Sequence, residues 1–473
     1  MKPSSIQSNN TSNVHLSQNH PAFVYWVGIV AGLAGLLFGF DTGIIAGALP
    51  MVSQEFQLDP AWQGYVVGAV LLGAIPGVIL AGISSRRYGR KNTVLGSAVI
   101  FAITALLCAY APNVYILLGT RFLLGIALGI ASFVTPIYLS EMAPREVRGG
   151  LIGLYQLMIT IGLLSAFLTG VAFTDIGSWR WMLGVGFGPA LLMLIAFLFM
   201  PQSPRWLMLM GRKDDALLVL KRTRRNAREI SEEVADIEKS LVVPQRSWDL
   251  LKNAAFRRVM FLGAGLQIMQ QITGINAIMY YAPTIFASLG FAAGETVMWG
   301  AVSVGVVNVL TTIFALFVVD RVGRRPILFC GLGIMVLSLS LMAYCAQPGV
   351  INPDTPGLQW LAVGALLIYI VGFAVSLGPI VWILCAEIFP LQGRDFGVTF
   401  STVVHWSANA LLGLTFLILV RELGIDQVFG LFAFISLLSI IFVYFFVPET
   451  KHVSLEQIEF NVNVNKPLRE LGL

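Results

Sequence analysis

Charged side chains are scarce in this sequence: 12% of its 473 residues are Asp, Glu, Lys or Arg, against 57% that are hydrophobic. So little polar surface cannot cover a soluble globule of this length, and a mean hydropathy of +0.80 places the chain in lipid. Cysteine is scarce too. Cys108, Cys330, Cys345 and Cys385 lie in or at the ends of apolar runs, without the paired spacing of a metal or redox motif, and read as packing residues. No nucleophile triad, metal cluster or phosphate-binding loop occurs, which argues against an enzyme and calls for no cofactor. Residues 1–21 are Ser/Asn-rich, with Lys2 their one Lys or Arg. They lack the charged start of a signal peptide and read as a disordered cytoplasmic segment, with the first helix retained. The net charge of +5 does not point to nucleic acid, because the basic residues lie in short loops among Glu and Asp and not along one stripe.

What is present is a series of apolar runs. Crossing the hydrocarbon takes about 20 apolar residues, and twelve such runs begin near Phe23, Trp62, Thr93, Val114, Gly149, Arg180, Phe256, Val297, Pro326, Leu358, Asp395 and Gln427. An even number puts both termini on one side. With that side inside, the inner segments hold all of the 30 Lys and Arg residues except Arg121, Arg180 and Arg421, so the positive-inside rule makes both termini cytoplasmic. The longest polar stretch, Pro204 to Arg258, then joins two halves on the cytoplasmic side. Its runs Asp214 to Arg228 and Glu232 to Leu241 have helical periodicity and mixed charge, the mark of short surface helices.

The halves repeat. Gly89-Arg90-Lys91 recurs as Gly323-Arg324-Arg325 at an offset of 234, and Glu141, Pro144 and Arg148 recur as Glu387, Pro390 and Arg394 at 246. Pro201-Gln202-Ser203 recurs as Pro448-Glu449-Thr450 at 247. Three signals in one order and on one side indicate a duplicated unit. The expected fold is an all-α membrane protein of twelve transmembrane helices in two pseudo-symmetric six-helix halves, the parallel-repeat architecture of major facilitator transporters. The divisions are 1–21, a first half 22–203, a linker 204–255, a second half 256–448 and a cytoplasmic tail 449–473.

Several motifs carry a closer resemblance. Asp320-Arg321-Val322-Gly323-Arg324-Arg325, Arg121-Phe122-Leu123-Leu124-Gly125, Pro201-Gln202-Ser203-Pro204-Arg205, Gln270-Gln271-Ile272-Thr273-Gly274-Ile275-Asn276 and Pro448-Glu449-Thr450-Lys451 resemble the sugar-porter family of the major facilitator superfamily. Tyr155 to Thr160, Trp179 to Leu183 and Val453 to Glu456 resemble its bacterial galactose-proton and arabinose-proton symporters, the former more closely. The resemblance implies sugar contacts from Gln156, Gln270, Gln271, Asn276, Asn308, Trp382, Trp406 and Asn409. Amides inside apolar helices are costly unless they bond a ligand or another helix, so a structural role stays open for each singly. Tyr280 and Tyr281 before Pro283, and Gly378-Pro379, mark places where helices 7 and 10 break and serve as gates. His405 is the one intramembrane histidine; it admits a titrating, a structural or a sugar-contacting role. Glu141, Arg148, Arg90, Asp320, Arg324, Glu387, Arg394 and Glu449 form a cytoplasmic charge network. Arg86 replaces the acid of the general superfamily pattern and Gln202 replaces the family's common Glu, so the second-half cluster is expected to hold the inner gate more firmly.

One acid remains to be explained. Asp41 stands inside the apolar first helix, where a carboxylate costs roughly 3 kcal/mol unless it has a partner or lines a pathway. It lies about 8 residues, roughly 12 Å, below an outer end placed near Leu49, and Arg121 lies about as deep from the outer start of helix 4. Equal depth predicts an Asp41–Arg121 pair, as a proton-coupling site or as a structural bridge. The reading is a monosaccharide carrier, D-galactose or a similar hexose with a proton, working by alternating access as a monomer among lipids of a bacterial inner membrane. The alternatives are an arabinose-proton symporter, a proton-independent facilitator and a non-transporting sensor. Mammalian glucose facilitators lack an acid at the place of Asp41, and the tail is too short for an ordinary signalling domain.

Overall fold

In lipid every backbone N–H and C=O must be satisfied within the chain, so apolar runs close as helices and break only where neighbouring groups take over the freed bonds. The computed structural model describes residues 22–472 apart from 175, 243–248, 293, 352–355, 391–392, 452 and 454, and no strand occurs among the described residues. Eleven helical stretches are long and apolar enough to cross a membrane. Spans 1 to 6 are Ala22–Phe56, Pro60–Tyr88, Arg90–Ala109, Val114–Met142, Arg145–Thr174 and Trp179–Leu198. Spans 8 to 12 are Glu295–Val322, Arg324–Cys345, Gly357–Glu387, Arg394–Leu423 and Ile425–Phe446. Span 7 is the twelfth and comes in three pieces, Ala254–Ile272, Ile275–Tyr280 and Ala282–Ser288. Every predicted start falls within four residues of the observed one.

Side chains cap some of the starts. Asp59 accepts from the Trp62 N–H at 2.8 Å ahead of Pro60, and Asn113 accepts from Ile116 at 3.0 Å. One end differs from expectation: span 1 does not stop near Leu49 but runs through Pro50 to Phe56, 35 residues in all. Its extra turns are held by Arg180 and Trp179, which both donate to Glu55 at 2.7 Å.

The breaks in spans 7 and 10 also differ. Span 7 interrupts at Tyr281 as expected, and a second time at Thr273-Gly274. Gly274 has φ +100°, and a Cβ there would stand 2.5 Å from the Phe432 ring, so only glycine fits. Tyr369 donates to the Thr273 carbonyl at 3.0 Å. Span 10 breaks at Ser376, with Gly378 and Pro379 in the first turn of the piece that follows.

The Pro204 to Arg258 stretch holds helices Pro204–Leu209, Lys213–Thr223 and Ala227–Val242. The predicted run from Asp214 to Arg228 ends early because Arg224 is extended, its guanidinium bonded to the Met142 carbonyl and to Glu233. Asn226 and Glu229 cap each other to start the next helix. The Arg222 guanidinium lies 4.1 Å over the Phe23 ring, so the linker and the start of span 1 share one end of the bundle, the linker end.

Across the halves, span 2 packs on span 11 and span 5 on span 8, while span 1 meets the Ile275–Tyr280 and Ala282–Ser288 pieces of span 7 at the far end. Close approach at the first seam depends on Gly64, where a Cβ would come within 2.5 Å of the Leu414 carbonyl oxygen. Spans 4 and 10 make no comparable packing among the described residues, so the halves are joined more closely at the far end than at the linker end.

Candidate functional site

Asp41 and Arg121 meet. The Arg121 Nη1 lies 3.9 Å from Asp41 Oδ1, and both side chains are buried, at 2% and 7% exposure. Arg121 is fixed by its Nε, which donates to the Val66 carbonyl of span 2 at 2.8 Å. The depth reasoning therefore found the right pair although it misplaced the end of span 1, which runs on from Leu49 to Phe56. The gap between the buried acid and the buried guanidinium is longer than a hydrogen bond, so the two are held by charge and not by a direct hydrogen bond.

Beside this pair, spans 7, 10 and 11 build a wall of amides. Gln270 donates to the carbonyls of Leu377 (2.8 Å) and Gly378 (3.3 Å), tying span 7 to the lower piece of span 10, and accepts from Gln271. Gln271 accepts from Asn276 at 2.6 Å across the Gly274 break. Tyr280 donates to Asn409 at 3.2 Å, and Tyr281 donates to the Gly413 carbonyl at 2.8 Å while stacking on Phe416. These two tyrosines bind the second piece of span 7 to span 11 at the far end.

The expected sugar contacts divide into two sets. Gln156 and Asn308 are half-buried and have no side-chain hydrogen bond among the described residues. These two offer free amides, half-buried Asn276 adds a carbonyl oxygen beside its bond to Gln271, and Trp382, 36% exposed, adds a flat apolar face. Gln270, Gln271 and Asn409 are buried and already bonded to protein. Trp406 departs from both: it is 2% exposed, packs on Phe38 of span 1 at 5.4 Å, and its indole N–H has no acceptor among the described residues.

Sequence reasoning missed Gln267. Its Oε1 is 2.9 Å from His405 Nδ1, with Gln271 Nε2 at 3.2 Å from the same nitrogen, and the imidazole lies between the Trp382 and Trp406 rings. The signal was available, since Gln267, Gln270 and Gln271 share one helix face at the three- and four-residue spacing. His405 is thus a buried, hydrogen-bonded member of the amide wall.

At the linker end the charge network forms within each half. Arg90 pairs with Glu141 at 2.8 Å and Arg324 with Glu387 at 3.0 Å. Ser203 bonds Glu141 and Thr450 bonds Glu387, which makes the pairing two-fold symmetric. Arg148 donates to the Ala143 carbonyl and Arg394 to that of Phe389, each bracing its own turn. The side chain of Asp320 lies outside the described residues.

Known proteins bear out this architecture. The family described as sugar (and other) transporter matches residues 27–461. The galactose-proton symporter of Escherichia coli strain K12 is 46% identical over 456 residues, covering 96% of this chain and 98% of its own. The arabinose-proton symporter of the same strain is 43% identical over 449 residues, covering 95% of each. The structure of the proton:xylose symporter XylE bound to 6-bromo-6-deoxy-D-glucose matches with a TM-score of 0.76 at 29% identity, over 95% of this chain and 98% of that one. XylE from E. coli in a partially occluded inward open conformation matches with a TM-score of 0.78 at 28% identity, over 92% and 100%. The duplicated six-helix halves, the buried ion pair and the amide wall thus stand in a multi-pass membrane transporter, not an enzyme, and the chain belongs to the sugar transporter family of the major facilitator superfamily.

Proposed function

We propose that this protein imports a monosaccharide, D-galactose or a similar hexose, together with a proton by alternating access. The observation that carries the reading is the buried Asp41–Arg121 pair beside an amide wall, with the halves joined at the far end where spans 1 and 7 meet. Galactose is favoured over arabinose by the higher identity to the galactose-proton symporter. The amides of Gln156, Asn276 and Asn308 and the ring of Trp382 receive sugar hydroxyls and the ring face, with Gln270, Gln271 and Asn409 forming the bonded layer behind them.

In the cycle, a proton from outside neutralises Asp41 and the attraction to Arg121 ends. Spans 1 and 4 then shift, the Tyr280-Tyr281 piece of span 7 closes over the sugar, and the gap between spans 4 and 10 opens to the cytoplasm. There Asp41 loses its proton to a less acidic solution. A charge crossing about 150 mV supplies about 3.5 kcal/mol, enough for a sugar gradient of a few hundredfold. Both termini face the cytoplasm of a bacterial inner membrane, and one chain suffices for transport. Reporter fusions at Leu473 and near Asp354 report opposite sides under this reading; the same side for both contradicts it.

Counterflow in proteoliposomes with labelled galactose, glucose, xylose and arabinose tests the substrate. Galactose or glucose is expected to exchange fastest, and preference for arabinose would select the alternative.

A further inference from the structure

Two buried donors near the ion pair have no acceptor among the described residues: Arg121 Nη1 and the indole Nε1 of Trp406. Both residues line one small cavity with Asp41, Thr42 and Tyr280, holding about 10 Å³ that the centre of a water molecule can occupy. That is room for one water, which needs two to four polar partners to be held in a protein interior. The partners are there. Asp41 Oδ1 and Arg121 Nη1, at 3.9 Å, are too far apart for a direct hydrogen bond but close enough for one water to bond both.

We propose that this cavity is a water site, and that Trp406 is a positioning residue for the proton step: its indole N–H holds the water against the Asp41 carboxylate and the Arg121 guanidinium. The water passes a proton to Asp41 and is reprotonated from the solvent side, so it relays and is not consumed, while Arg121 keeps its proton throughout. The site rests on the reading that Asp41 couples transport to protons. It assigns Trp406 a different task from Trp382, which is 36% exposed and does not line this cavity. Trp406 is instead covered by Phe38 and shares the pocket of the acid. The ionisable groups around Asp41 are Arg121 on span 4, Tyr280 on span 7 and Cys108 on span 3. Span 2 faces the cavity with Val67, Val70 and Leu71, and His405 on span 11 turns to Gln267.

Trp406→Phe keeps the ring and removes the donor. Losing a hydrogen bond that steadies the charged carboxylate lets Asp41 keep its proton to higher pH, so the midpoint of the pH profile for galactose-driven proton uptake in proteoliposomes should move up by about half to one pH unit. A residue that only touches sugar alters KM and leaves the midpoint in place; an unmoved midpoint overturns the proposal. Should Trp406→Phe fold poorly, infrared difference spectra of the wild-type protein between acid and alkaline pH decide. The Asp41 carboxyl band, identified by its loss in Asp41→Asn, is expected together with a water band that shifts in H2(18O), and no such water band overturns the site. If Asp41→Asn still concentrates sugar, the coupling reading fails; if it does not and Trp406→Phe leaves the midpoint unmoved, the water site alone fails.

Discussion

The two halves cap the same helix start with different atoms. In the first half Gln202 accepts from the Lys91 N–H at 3.2 Å and donates to the Tyr88 carbonyl at 3.2 Å. In the second, the two carboxylate oxygens of Glu449 accept from the N–H groups of Arg324 and Arg325 at 3.1 and 3.0 Å. Both side chains thus seal the start of the span that follows, span 3 or span 9, but only Glu449 adds a negative charge at the positive end of a helix. The apparent loss of a charge latch at Gln202 is a change of capping chemistry, not a missing part. Arg86, the other departure, offers its carbonyl to the Trp206 indole at 2.9 Å and so docks the linker. The halves also differ in what they bury: the acid and its arginine belong to the first, and the bonded amides to the second.

The largest test of that difference is Arg121→Ala. It leaves Asp41 buried without its partner and should cost about 3–5 kcal/mol of stability, read by thermal unfolding in detergent. Adding Asp41→Asn should return part of the loss, because no charge is then stranded. A smaller effect is expected in the other half: Gln270→Ala or Asn276→Ala should weaken sugar binding by about 1–3 kcal/mol, the cost of leaving a buried partner unpaired. Isothermal titration with galactose measures it, and unchanged affinity in both variants moves the sugar site elsewhere. The smallest effects sharpen the cap comparison. Glu449→Gln should destabilise by about 0.3–1 kcal/mol at low salt, while Gln202→Glu, which gains that attraction but loses its bond to the Tyr88 carbonyl, should change stability less; no loss in Glu449→Gln would end the charge difference between the two caps.

Much of this was legible in the sequence because lipid enforces simple rules. Long apolar runs fixed the span starts, and a lone acid and a lone arginine in apolar helices had to find each other. What was not legible depends on tertiary contact. Span 1 continues past Pro50 because Arg180 and Trp179 wait for Glu55, 125 residues away for the arginine. The second break in span 7 is set by Gly274 against Phe432, and the linker helix ends at Thr223 because Arg224 turns back to Met142. Gln267 was missed although its spacing marked it, since its partner His405 lies 138 residues on. Trp406 has the composition of a sugar platform, and only its burial behind Phe38 separates it from Trp382.

The most direct test of proton coupling compares wild-type protein with Asp41→Asn in proteoliposomes, following labelled galactose and external pH together. Wild-type vesicles with an imposed proton gradient should concentrate the sugar, and galactose added without a gradient should make the external solution more alkaline. The variant should lose both while still exchanging labelled for unlabelled sugar. Accumulation against the gradient by Asp41→Asn would contradict the account and make His405 the next candidate for the coupling group.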